Sequence, residues 1–89
     1  MPPKIPATMN LKQFMLRQKV LKLYRDILRE IRRVPDEGSK AELRLWARSD
    51  FRKYQNEKDE YAIKMLIFNG ERSLKELKQS IELSSAKNN

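Results

Sequence analysis

The 89-residue chain contains no cysteine, no histidine and only two glycines. Without cysteine there can be no disulfide framework. Without either residue, zinc sites of the usual Cys/His kind and Cys–His or Ser–His nucleophilic pairs are excluded. Gly38 and Gly70 stand far apart, so no Gly-rich loop exists to cradle a phosphate. Carboxylates are present, but none falls in a pattern that suggests a paired acid and base. These absences predict a non-enzyme. No apolar run approaches the roughly 18 residues that span a bilayer. The start Met1-Pro2-Pro3-Lys4 lacks the apolar core of a secretory signal.

One further absence carries information. No acidic residue precedes Asp26, whereas Lys4, Lys12, Arg17, Lys19, Lys22 and Arg25 all do. A basic, amphipathic, acid-free start is what mitochondrial import favours, the alternative being a plain cationic helix. No cleavage site is evident, so an import signal is expected to stay in the mature chain. The formal charge is +8 with a pI near 10.0. Residues 1–55 hold 14 Lys/Arg against 6 Asp/Glu, and residues 56–89 hold 6 against 6, so the whole excess lies in the first part. That asymmetry predicts an acidic partner on one side of the molecule: nucleic acid, anionic lipid or an acidic protein.

Three amphipathic segments follow one another. Residues 1–9 read as a Pro-rich tail, and Asn10 or Thr8 can cap a first helix over about 10–34. In it Val20, Tyr24, Ile27 and Ile31 share one face, while Lys22, Arg25, Arg29 and Arg33 form a cationic ridge on the other. Pro35 ends the helix and Asp36-Glu37-Gly38 reads as a turn. Ser39 and Glu42 have capping-box spacing, which starts a second helix over about 40–54. Its apolar side is Leu43, Trp46, Ala47, Phe51 and Tyr54. Lys40, Arg44, Arg48 and Arg52 make a second ridge at i, i+4 spacing, where like charges repel. A solvated basic face and a docking face for an acidic partner both fit that ridge.

Gln55-Asn56 breaks the chain before a third helix over about 57–83, whose first residues Glu57, Asp59 and Glu60 suit its positive end. Its main stripe is Ile63, Leu66, Ile67, Gly70, Leu74, Leu77 and Ile81. Gly70 within that stripe predicts either close approach of a neighbouring helix or space left in the core. Tyr61, Met65 and Phe68 form a second apolar stripe, which fits an interface or scattered surface apolars; together with Trp46, if that is exposed, it is the candidate client interface. Short connections make the expected fold all-α, an antiparallel up-down-up three-helix bundle. The folded domain is 10–83, and 84–89 reads as a polar C-terminal tail.

The triplet Leu23-Tyr24-Arg25 lies early in a basic first helix and is followed by Ile27-Leu28-Arg29. Farther on, Phe51 sits among Arg48, Arg52 and Lys53. Over about residues 11–80 this ensemble resembles the LYR-motif family of small basic three-helix proteins of the mitochondrial matrix. The resemblance implies binding to the acidic mitochondrial acyl carrier protein. That carrier brings an acyl-4′-phosphopantetheine whose chain inserts among the three helices, so no cofactor of the protein's own is expected. By matching positions it assigns Tyr24 and Arg25 to the motif, and Arg48, Phe51 and Lys53 to the docking side and chain entrance. Arg44 and Arg52 extend that basic surface. Arg17 joins them on independent grounds, since it falls on the apolar side of helix one, where a charge needs an anionic or polar partner. The candidate tunnel lining is Tyr24, Ile27, Ile63, Leu66, Ile67, Gly70 and Leu74, and the chain-free protein is expected to carry a cavity.

The function so implied is an adaptor in assembly of respiratory complex I. Other family roles are a permanent accessory subunit of a respiratory complex and a partner in iron–sulfur maturation. From a different class, two basic ridges with aromatics nearby also suit a nucleic-acid-binding module. Against that, the core aromatics lie on apolar stripes, and neither helix two nor helix three carries the Asn/Gln/Arg mix of a base-reading element.

Overall fold

The computed structural model describes residues 10–87, which form three helices and, among the described residues, no strand: α1 (Leu11–Ile31), α2 (Glu37–Asn56) and α3 (Glu60–Lys87). The expected all-α three-helix bundle is therefore what forms. The Pro-rich residues 1–9, with Thr8, lie outside the described residues.

Asn10 caps α1 in a reciprocal box: its side chain accepts from the Gln13 N–H (2.8 Å), and the Gln13 side chain accepts from the Asn10 N–H (3.1 Å). These bonds satisfy two of the donors a helix start leaves open. At the other end α1 stops three residues before the expected limit of 34. The Arg33 and Val34 N–H groups bond three residues back, to Glu30 and Ile31 at 3.0 Å, a tighter turn than the α-helix. Pro35 forces this by disfavouring helical geometry at Val34.

The start of α2 differs from the reading of the sequence. Asp36, not Ser39, is the cap, and the helix begins at Glu37 rather than 40. The Asp36 carboxylate accepts from the Ser39 hydroxyl (2.7 Å) and the Ser39 N–H (2.8 Å), so Ser39 acts as a donor inside the first turn. An ionised carboxylate is the stronger acceptor, which is why the nearer Ser lost the role. The bond from the Ser39 side chain, then that from its backbone, holds the Asp36 pKa below the ordinary 3.8. A carboxyl with a depressed folded-state pKa stabilises the fold above its unfolded pKa, and this is lost as pH falls through the lowered value. Asp26, bonded by Lys22, and Glu60, bonded by Lys12 and Lys64, are lowered in the same direction. Thermal melts followed by circular dichroism should therefore shift down on acidification below about pH 4. Asp36→Asn, which caps without titrating, should remove only the share of that dependence owed to Asp36.

Helix α3 starts at Glu60 rather than 57. Asp59 supplies its cap, accepting from the Ala62 N–H at 3.3 Å, while the Glu57 carboxylate accepts from the Lys58 and Asp59 N–H groups at 3.0 Å. The helix continues to Lys87, beyond the expected end at 83.

Helix α1 is the centre of the bundle. It runs parallel to α3, as Lys12–Glu60 (2.7 Å) and Lys19–Glu71 (3.9 Å) show by rising together along both helices. Lys78 continues the series by lowering the pKa of Asp26. Exposed pairs like these set register more than stability. The tight core is Ile27, Ile31 and Ala47, with Leu23, Tyr24, Leu28, Leu43, Leu74 and Leu77 packed around it. Ala47 is the one buried residue of α2. Helix α2 thus rests on α1 and scarcely touches α3.

Candidate functional site

The weak α2–α3 contact leaves space between those helices. An inner cleft of about 30 Å³ lies over α1, walled by Val20, Leu23, Tyr24 and Ile27 of α1, Trp46, Ala47, Asp50, Phe51 and Tyr54 of α2, and Leu66, Ile67 and Gly70 of α3. An outer cleft of about 500 Å³ opens beside it, at the end of the bundle where α2 passes into α3. Its lining is more polar: Gln13, Arg17, Gln55, Glu57, Lys58 and Glu60 surround Leu16, Leu21 and Ile63. Phe51 and Tyr54 belong to both clefts and separate them.

These two rings continue a stack. Tyr24 of α1 lies 4.5 Å from Phe51, centroid to centroid, and Phe51 lies 5.8 Å from Tyr54. Such offset pairs contribute about 0.5–1.5 kcal/mol beyond their burial. The i, i+3 spacing of Phe51 and Tyr54 was the signal that could have added Tyr54 to the site. Burial pushes the Tyr54 phenol up, and the nearby Arg17 guanidinium only partly opposes this. Arg17 is exposed on the rim of the outer cleft, so solvent reaches its charge.

The structure gathers some expected site residues and separates others. Tyr24, Ile27, Phe51, Leu66, Ile67 and Gly70 meet at the inner cleft. Ile63 lies in the outer cleft, and Leu74 packs on the tight core. Trp46 lines the inner cleft with Leu66 and Gly70 and is also 37% exposed. The Tyr61, Met65 and Phe68 stripe is indeed uncovered, at 70%, 41% and 59% exposure. Leu23 and Asp50 are cleft residues that helical period did not single out, while Val20 and Ala47 were read as apolar-face residues but not as cleft lining.

Arg25, Arg44, Arg48, Arg52 and Lys53 are all exposed. Lys22 pairs with Asp26 (3.0 Å), Arg33 with the buried Glu30 (2.7 Å) and Lys40 with Glu37 (3.5 Å). Among the described residues Arg25, Arg44, Arg48, Arg52 and Lys53 have no such partner. Arg48 and Arg52 lie within a turn of Phe51, and Arg25 within a turn of the outer-cleft residue Leu21. The basic residues that line a cleft are Arg17 and Lys58, both in the outer one beside Glu57 and Glu60.

Gly70 proves to be a point of close approach. A Cβ there would stand 2.7 Å from Cδ2 of Leu23. Gly70→Ala gains about 1 kcal/mol of helix propensity, against the displacement of one flexible leucine end, so it should be nearly neutral. Gly70→Val should destabilise by about 1–3 kcal/mol, because its branch overpacks the α1–α3 contact. Denaturant unfolding of the two variants checks both expectations. The chain-free hollow is correspondingly small: 30 Å³ is about one water's share of the liquid.

A family model described as "Complex 1 protein (LYR family)" matches residues 18–76. LYR motif-containing protein 2 of Danio rerio is 49% identical over 79 residues, covering 89% of this chain and 90% of that protein. The proteins of the same name from Xenopus tropicalis and Homo sapiens are 43% and 44% identical over 81 residues. They cover 91% of this chain and 93% and 92% of their own lengths. No solved structure matches the chain at a significant level. With Tyr24 stacked at the cleft, Arg25 unpaired beside it and the family match running from α1 into α3, this chain belongs to the LYR family.

Proposed function

We propose that the protein is a non-enzymatic adaptor of the mitochondrial matrix that binds acylated acyl carrier protein and assists assembly of respiratory complex I. Membership of a family of generally mitochondrial adaptors supports the reading, as does the family's description as a complex 1 protein. The observation that carries it is the pair of clefts meeting at Phe51 and Tyr54, in a molecule whose exposed Arg25, Arg44, Arg48, Arg52 and Lys53 form no ion pair among the described residues.

Magnitudes divide the labour between these features. A dozen buried methylenes contribute on the order of 10 kcal/mol, whereas each exposed ion pair gives about 0–1 kcal/mol. The acyl chain anchors the complex, and Arg25, Arg44, Arg48, Arg52 and Lys53 orient the acidic carrier. The outer cleft already lies within the roughly 300–1,000 Å³ of ligand pockets, while the inner one does not. Admitting a chain therefore moves α2 away from α3, which costs little because those helices share little contact. Tyr61, Met65 and Phe68 remain open on α3 as the face offered to the client.

Co-expression with acyl carrier protein tests the proposal. Native mass spectrometry should find a one-to-one complex whose mass includes phosphopantetheine and an acyl group. A protein equally soluble and monomeric alone, and silent toward the loaded carrier, overturns it.

A further inference from the structure

Resting on the reading just given, we infer that the contact between Ile27 and Ala47 is the floor of the acyl site and sets the length of chain the protein accepts. Of the buried cluster among the described residues, Ile27 and Ala47 also wall the inner cleft, with Leu23 and Tyr24 packed beside them. On the cleft side of them lies space bounded by Phe51 and Tyr54. On the far side Ile31 has no exposure at all, and Leu43, Leu74 and Leu77 fill the bundle. Ile27 is 5% exposed and Ala47 1%, so no gap leads past them. A chain entering between the aromatic rings thus meets a closed end, not a through-channel.

The two walls also differ in how readily they yield. Helix α2 can shift sideways from α3, which widens the cleft. The floor belongs to the buried cluster of Ile27, Ile31 and Ala47, and giving way there would open the core itself. Widening is therefore cheap and lengthening is costly. From Tyr54 to Ala47 the helix advances roughly 10 Å at 1.5 Å per residue. An extended hydrocarbon advances about 1.3 Å per carbon with C–C bonds near 1.5 Å. Once α2 has moved aside, about eight carbons span the distance between the rings and the floor, and any carbons nearer the thioester occupy the outer cleft. Ala47 has the smallest side chain in the tight core, so enlarging it raises the floor directly. Trimming Ile27 lowers it from the opposite helix.

The test co-expresses the full chain with acyl carrier protein and reads the acyl masses retained, by native mass spectrometry. Ala47→Leu should shift the retained chains shorter by about two to three carbons, and Ile27→Ala should shift them longer by a similar step. Ala47→Val and Ile27→Val carry the same test in the event that a larger change prevents folding, with shifts of about one carbon in the same opposite directions. Ile81→Val, a buried change remote from the cleft, should leave the distribution untouched. Variants that retain acylated carrier with an unchanged distribution, or with both shifts in one direction, overturn the floor while leaving carrier binding intact. A wild-type protein that retains no acylated carrier overturns both.

Discussion

Ile31→Ala should lower stability by about 3–4 kcal/mol, the upper part of the range for aliphatic truncation in a core. Ile31 has zero exposure and stands at the centre of the cluster with Ile27 and Ala47. Truncation removes its transfer free energy and leaves a void that neighbours from α1, α2 and α3 cannot all collapse to fill. For a domain of this size each kcal/mol shifts the midpoint by about 4–8 °C, so the melting temperature should fall by roughly 12–32 °C. Small domains have only about 5–15 kcal/mol in total, so part of the population should unfold at 37 °C. Leu45→Ala is the matched control. Leu45 is 65% exposed, and its loss should stay within about 0.5 kcal/mol. Bound carrier should restore much of the Ile31→Ala deficit, because a ligand selective for the folded state stabilises it by mass action.

Reversing the α2 ridge, with Arg44, Arg48 and Arg52 all changed to Glu, should slow association with acyl carrier protein by about 100-fold at low salt. The same change should abolish the salt dependence expected of the wild type. The reason is that these charges are uncompensated: among the described residues none forms an ion pair, and all three are exposed. Stability should not follow the same trend. Arg48 lies four residues from both Arg44 and Arg52, where like charges repel by about 0.2–0.5 kcal/mol per pair. Arg48→Gln should therefore fold as well as the wild type, or a few tenths of a kcal/mol better, while binding more slowly. Stopped-flow association over a salt series, set beside thermal melts, separates the two effects. A ridge that mattered only to the fold would move them together.

The places where sequence reading fell short have identifiable causes. Asp36 displaced Ser39 as the α2 cap because two acceptors competed for one turn and spacing alone could not rank them. Glu30 was not singled out, yet it is 6% exposed and held by Arg33 at 2.7 Å. A carboxylate on the flank of an apolar arc becomes buried or solvated according to where the neighbouring helix lies. Trp46, grouped with Tyr61, Met65 and Phe68 by character, is exposed as they are, and the bundle in addition places it at the inner cleft with Leu66 and Gly70. Similar side chains on different helices share a face only if the packing brings those faces round.

The triplet Leu23-Tyr24-Arg25 shows the division of information most clearly. Its sequence already determined that Tyr24 belongs to the apolar side and Arg25 to the ridge, because a fixed 100° step per residue assigns every side chain an angle on its own helix. In the same way the three helices, the stop before Pro35, the basic first part and the two α3 stripes were determined before any folding. What the triplet meets was decided by the tertiary structure. Leu23 closes on Gly70, Tyr24 stacks on Phe51, and Arg25 forms no ion pair among the described residues. So were the small inner cleft, the larger outer one and the slack between α2 and α3. Helical period fixes angles within an element, but distances between elements come from how three uneven surfaces settle against one another.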